Sequence, residues 1–67
     1  MKTKLERINK LVMDVNNKPS EWRWGQAYFN YALQLFPIKA EECRGDDSID
    51  PFHNDNNINK FVEFVCS

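Results

Sequence analysis

Between Ser20 and Phe36 the chain carries an apolar surface too wide for an ordinary surface helix. Placed at 100° per residue, Trp22, Trp24, Tyr28, Phe29, Tyr31, Ala32, Leu33, Leu35 and Phe36 sweep about 200° of arc. A helix with such an arc is covered on two sides by its own fold, or it presents aromatics to a partner. The rest of the wheel is a polar strip of Arg23, Gln26, Asn30 and Gln34 with Ala27 beside it. Gly25 lies inside the segment at a cost of about 1 kcal/mol relative to alanine, which calls for close backbone approach at that point.

The flanking segments can supply the cover. Residues 3–16 read as a first helix, with Thr3 and Glu6 at capping-box spacing. Leu5, Ile8, Leu11, Val12 and Val15 then fall within about 120° of one another, and Asn16, Asn17 and Pro19 end the helix through a left-handed cap. Ser20 is the expected N-cap of the central helix, with Glu21 near the positive end of its dipole. Pro37 ends that helix and starts a short one, Ile38 to Arg44, closed by Gly45. Residues 46–55 form a polar loop plugged by Phe52. Asp55 or Asn56 then caps a last helix whose Ile58, Phe61, Val62 and Val65 share a face. No segment alternates with period two. The expected fold is all-α, a single domain over residues 1–67, built as a small bundle of three main helices plus one short helix.

Nine aromatics in 67 residues argue against disorder, and no apolar run approaches the ~20 residues of a membrane span. The basic N-terminus is followed by no apolar stretch of the secretory kind, which places the chain in the cytoplasm and Cys43 and Cys66 in the thiol state. Cys43 is expected in the core and Cys66 as a bystander near the tail.

The net charge of −1 conceals a division. Residues 1–39 hold seven basic and three acidic side chains, a net +4, whereas residues 40–67 hold two and seven, a net −5. Lys2, Lys4, Arg7, Lys10 and Lys18 are therefore candidate phosphate contacts for a nucleic-acid-binding factor, the alternative to a solvated face balanced by the acidic half. Asp46, Asp47, Asp50, His53 and Asp55 are the one metal-like constellation. They lack the order of a calcium loop and read instead as turn and cap residues, so no metal and no cofactor is expected. One histidine, with Asp50 and Cys43 as the only partners with which a triad can be drawn, makes a thin catalytic inventory; the chain reads as a non-enzyme.

Trp22-Arg23-x-Gly25-Gln26-x-x-Phe29-Asn30, followed by Pro37, Arg44-Gly45, Asp50-Pro51-Phe52 and Phe61, resembles a group of short uncharacterised proteins from bacteria and their phages. The likeness covers roughly residues 21–64. It implies a cytoplasmic, phage-associated origin and no mechanism. It also sets Arg23, Gly25, Gln26 and Asn30 beside the Arg44–Phe52 turn as one unit, in which the polar strip caps or bonds the turn. The first functional expectation is a helical interaction module that binds a protein partner or a second copy of itself. Its contact residues are Trp24, Tyr28 and Tyr31, the aromatic overflow of the central helix, with Arg23 and Gln26 beside them.

Overall fold

The computed structural model describes residues 3–67, and all regular structure among them is helical. Helix α1 spans Lys4–Val15, α2 Trp24–Leu35, α3 Pro37–Cys43 and α4 Ile58–Val65, with a single 3-10 turn at Asp55–Asn57 leading into α4. The structure thus has the expected all-α architecture. No helix among the described residues is long and apolar enough to cross a membrane.

Helix α1 begins as its sequence requires. Thr3 Oγ1 accepts from the Glu6 N–H at 3.1 Å, and Glu6 Oε1 accepts from the Thr3 N–H at 3.1 Å. Leu11 and Val15 are fully buried and Ile8 and Val12 half-buried. Leu5, at the edge of the apolar stripe and near the helix start, overhangs the core and is 66% exposed. The end of α1 differs from expectation. Asn16 stays right-handed, and Asn17 terminates the helix by donating its side-chain amide to the Met13 carbonyl at 3.0 Å.

The start of α2 also moves. Ser20 caps nothing: Pro19 to Trp22 form a turn closed by the Trp22 N–H on the Pro19 carbonyl, and the helix begins at Trp24. Glu21 and Trp22 therefore precede it. Arg23 occupies the N-cap position without a side-chain cap bond, so the helix start lacks a local acceptor. A distant one serves. Asp55 Oδ1 accepts from the Gly25 N–H at 3.0 Å, bringing a carboxylate to the positive end of the helix dipole. Asp55 is thus the cap of α2 and not of α4; Asn54 caps the 3-10 turn by accepting from the Asn56 N–H at 3.0 Å.

Gly25 is buried because this docking brings backbone against backbone. A Cβ at this position would lie on the Pro51 carbonyl oxygen and against the Asp55 carboxylate. The close approach anticipated at Gly25 is therefore present, and its partner is the 51–55 loop.

Phe36 alone joins α2 to α3. Its N–H closes α2 on the Ala32 carbonyl, its own carbonyl accepts from Ala40, and Pro37 starts α3 at the first position. Gly45, at φ +77°, ends α3 in the left-handed region. The core comprises Leu11 and Val15 of α1, Ala27, Phe29 and Ala32 of α2, Ala40 and Cys43 of α3, and Phe61 and Val65 of α4. Phe29 is its centre, stacked on Phe61 at 5.7 Å between ring centroids and edge-on to Phe52 at 5.9 Å. Cys66, far from being a bystander, is fully buried, and its carbonyl accepts from Arg7 Nε at 2.7 Å.

Gly25→Ala tests the docking. Alanine raises helix propensity by about 1 kcal/mol, but overpacking against a backbone carbonyl costs typically 1–3 kcal/mol and occasionally more. With the added Cβ set against backbone, we expect a net loss of roughly 1–2 kcal/mol in urea unfolding; an unchanged or raised midpoint would show that the loop yields freely.

Candidate functional site

The Arg44–Phe52 turn is built from its own polar side chains. Asp50 uses both carboxylate oxygens on backbone donors, accepting from Gly45 N–H at 2.7 Å and Phe52 N–H at 2.9 Å. Asp46 accepts from the backbone and hydroxyl of Ser48 at 3.0 and 2.7 Å, and these bonds hold its carboxyl below the usual range. Asn57 is buried beneath the loop and donates its amide to the Asp47 and Asp50 carbonyls at 2.9 and 3.0 Å. The aspartates expected in turns and caps are found there. Among the described residues no group of three or more histidine, cysteine, aspartate or glutamate side chains is placed to hold a metal ion.

The central helix meets this turn through part of its polar strip. Arg23 donates from Nη2 to the Phe52 carbonyl, and Gly25 takes the Asp55 carboxylate. Gln26 and Asn30 are half-buried, but neither side chain hydrogen-bonds another described residue. The segments that carry the sequence pattern therefore form one structural unit, joined by Arg23, Gly25 and Phe29. Arg44 completes it, its guanidinium carbon 5.2 Å from the Phe29 ring centroid while two nitrogens hold the Glu41 carboxylate at 3.1 and 2.8 Å. The Arg44 bond is what lowers the Glu41 carboxyl below its ordinary range. Phe29, Phe52, Arg44, Asp50 and the exposed His53 line an open hollow of about 280 Å³.

That hollow does not assemble the drawn triad. His53 sits edge-on to Phe52 at 4.8 Å, with no hydrogen bond to Asp50 or Cys43, and both oxygens of Asp50 already serve the turn. Cys43 is 1% exposed, and burial, with Asp50, Asp46 and Glu42 nearby, pushes its thiol up to about 11. Burial raises the Cys66 thiol as well, and the two cysteines are free. Neither is an activated nucleophile.

The basic residues of the N-terminal half are largely engaged within the molecule. Lys4 pairs with Glu63 at 2.9 Å and Lys10 with Asp14 at 3.1 Å; both pairs are solvent-facing and contribute about 0–1 kcal/mol each. Arg7 holds the Cys66 carbonyl, and the Lys18 ammonium lies 4.6 Å from the Trp24 ring centroid. Lys2 lies outside the described residues.

The aromatic overflow is narrower than the helical wheel suggests. Tyr28 and Tyr31 are half-buried, Tyr31 against Trp22 at 5.9 Å, and burial raises the Tyr28 phenol. Of the aromatics in this segment, Trp22, Trp24, Tyr28, Phe29, Tyr31 and Phe36, Trp24 alone is half exposed, at 50%. Trp24, Tyr28 and Tyr31 recur at helical spacing along one flank of α2. Sequence reasoning missed Ile38, which is 77% exposed on α3, and the Asp55–Gly25 cap. Periodicity carries no signal for an isolated exposed residue or for a bond spanning thirty residues.

No family model matches the chain, and comparison with curated proteins and with solved structures likewise finds no match.

Two outcomes check this reading. Because the Cys43 thiol is raised when folded, its contribution to stability is complete below the unfolded value near 9 and is lost as pH rises toward about 11. The unfolding free energy should fall through that window by up to roughly 2–3 kcal/mol, and a thiol reagent at neutral pH should modify neither cysteine before unfolding. Asn57→Asp turns an acceptor toward two carbonyls and should cost roughly 2–4 kcal/mol, partly recovered in acid where the carboxyl regains a donor. A neutral effect would mean that the amide is dispensable to the loop.

Proposed function

We propose that the chain is a non-enzymatic helical interaction module that docks a partner protein on the Trp24, Tyr28 and Tyr31 flank of α2. Its setting in this reading is that of a small phage-type modulator of a host protein, as the resemblance of its central pattern implies. Trp24 carries the reading. Leaving half of the largest side chain in water forfeits burial that a 67-residue domain can ill spare, and tryptophan is enriched among the residues that dominate interface energies. Lys18 lies over the ring and orders it without covering it fully. Tyr28 and Tyr31 extend the surface with amphipathic rings, each exposed over a minor part at the rim.

Arg23 and Gln26 are the further contacts proposed beside this flank: Arg23 is exposed, with its guanidinium on the Phe52 carbonyl, and Gln26 is half-buried on another part of the wheel. The nucleic-acid alternative has less in its favour, since Lys4 and Lys10 already face carboxylates and Lys18 faces an indole.

The experiment is affinity capture from host extract with three versions of the chain. A partner retained by the native chain should be lost at least ~10-fold with Trp24→Ala, a hot-spot effect of roughly 1.4 kcal/mol or more, and kept with Met13→Ala, which alters an exposed apolar residue elsewhere. Equal retention by all three sinks the assignment. Retardation of a nucleic acid at low salt, with steep salt dependence, would instead favour the basic first helix.

A further inference from the structure

At the other end of α2 two adjoining open hollows, of about 340 and 230 Å³, share Arg7 and Phe36 in their linings and are taken together as one shallow groove. Leu35 and Phe36 line its apolar part, with the all but buried Val65 among them, while Lys39 brings a cation to its edge beside Arg7, which holds the Cys66 carbonyl, and Lys10, which is paired with Asp14. Ile38 stands on its lip, the most exposed large apolar residue described. We propose that this groove seats a second copy of the chain, with α3 of each copy laid into the groove of the other about a two-fold axis.

Charge identifies the occupant. On α3 the exposed Glu41 and Glu42 lie on either side of Ile38, about 60° and 40° away at 100° per residue, so the outward face is an apolar knob between two carboxylates. The groove is the complement, an apolar lining edged by cations. Glu42 has no ion-pair partner among the described residues. Lys39 rests on Phe64 at 4.9 Å and reaches the Ser67 hydroxyl at 3.3 Å, likewise without a carboxylate within ion-pair distance among those residues. Knob and groove thus meet at one place on the same molecule.

That adjacency suits a two-fold pairing. Head-to-tail contacts build rings or filaments, whereas a knob on the lip of its own socket makes one self-complementary patch, satisfied in one reciprocal pairing that closes. An ordinary interface takes about 800 Å² per partner, roughly a fifth of the 4370 Å² surface of this chain. Reciprocal seating places two seven-residue helices in two grooves, a small interface of that class, and marks the dimer as a weak one. The proposal rests on reading the chain as an interaction module, but it uses a surface distinct from the Trp24 flank, and either can fail alone.

Sedimentation equilibrium on the full chain from about 5 µM to 1 mM tests it. The average mass should rise from 8.0 kDa toward twice that value and stop there. Ile38→Asp should weaken association at least ~10-fold, with circular dichroism and unfolding midpoint unchanged because the residue is exposed. Glu42→Lys and raised salt should each weaken it about threefold or more. Trp24→Ala should leave it as it was. A mass of 8.0 kDa throughout, growth beyond the dimer, or native-like association of Ile38→Asp overturns the proposal.

Discussion

The contact on which the structure depends is the seating of the first turn of α2 against the 51–55 loop. The Gly25 N–H reaches a carboxylate thirty residues away, and its bare Cα admits the Pro51 carbonyl. An α-helix leaves four N–H groups without partners at its start, and here no neighbouring side chain answers them. The long-range answer does more than a local cap can. It fixes where α2 begins, brings Arg23 to the Phe52 carbonyl, and places Phe52 edge-on to Phe29. Phe29 in turn stacks on Phe61, so the loop and α4 are positioned by one helix start.

Local signals in the sequence are legible where the physics is local. The Thr3–Glu6 capping box, Pro37 at the first position of α3 and the left-handed Gly45 are each decided within a few residues, and each stands as read. Ser20 misleads because a serine after a proline suits a turn as well as a helix cap, and the Pro19–Trp22 turn takes it. Asp55 misleads in the opposite sense, since its bond to Gly25 has no sequence periodicity. Leu5 and Cys66 show a third limit. A wheel ranks residues by angle but not by how far the neighbouring helices extend, so an end residue of the stripe can overhang while a residue near the tail is enclosed.

The candidate surfaces are legible to a similar degree. That α2 carries more aromatic area than the core can absorb is plain from the sequence, yet the surplus is Trp24 and only parts of Tyr28 and Tyr31. The division into basic and acidic halves is equally plain, yet among the described ion pairs few join a basic side chain of one half to an acidic one of the other. Lys10 and Arg44 each take a carboxylate on their own helix, and Lys4 alone among the described ion pairs crosses from one half to the other. Electrostatics within the fold is therefore short-ranged and solvent-screened, and the charge difference between the halves is left largely for the surroundings to answer.

The clasp between Arg7 and the Cys66 carbonyl, with Lys4 on Glu63 beside it, joins points 59 residues apart in the chain. Such a contact lengthens the loop that must close before the first helix is fully anchored. Helices α1 and α2 can pack as a hairpin from contacts close in sequence, but α1 is fully anchored only when α4 and Cys66 are in place, so the first helix of the fold is among the last elements to be fastened.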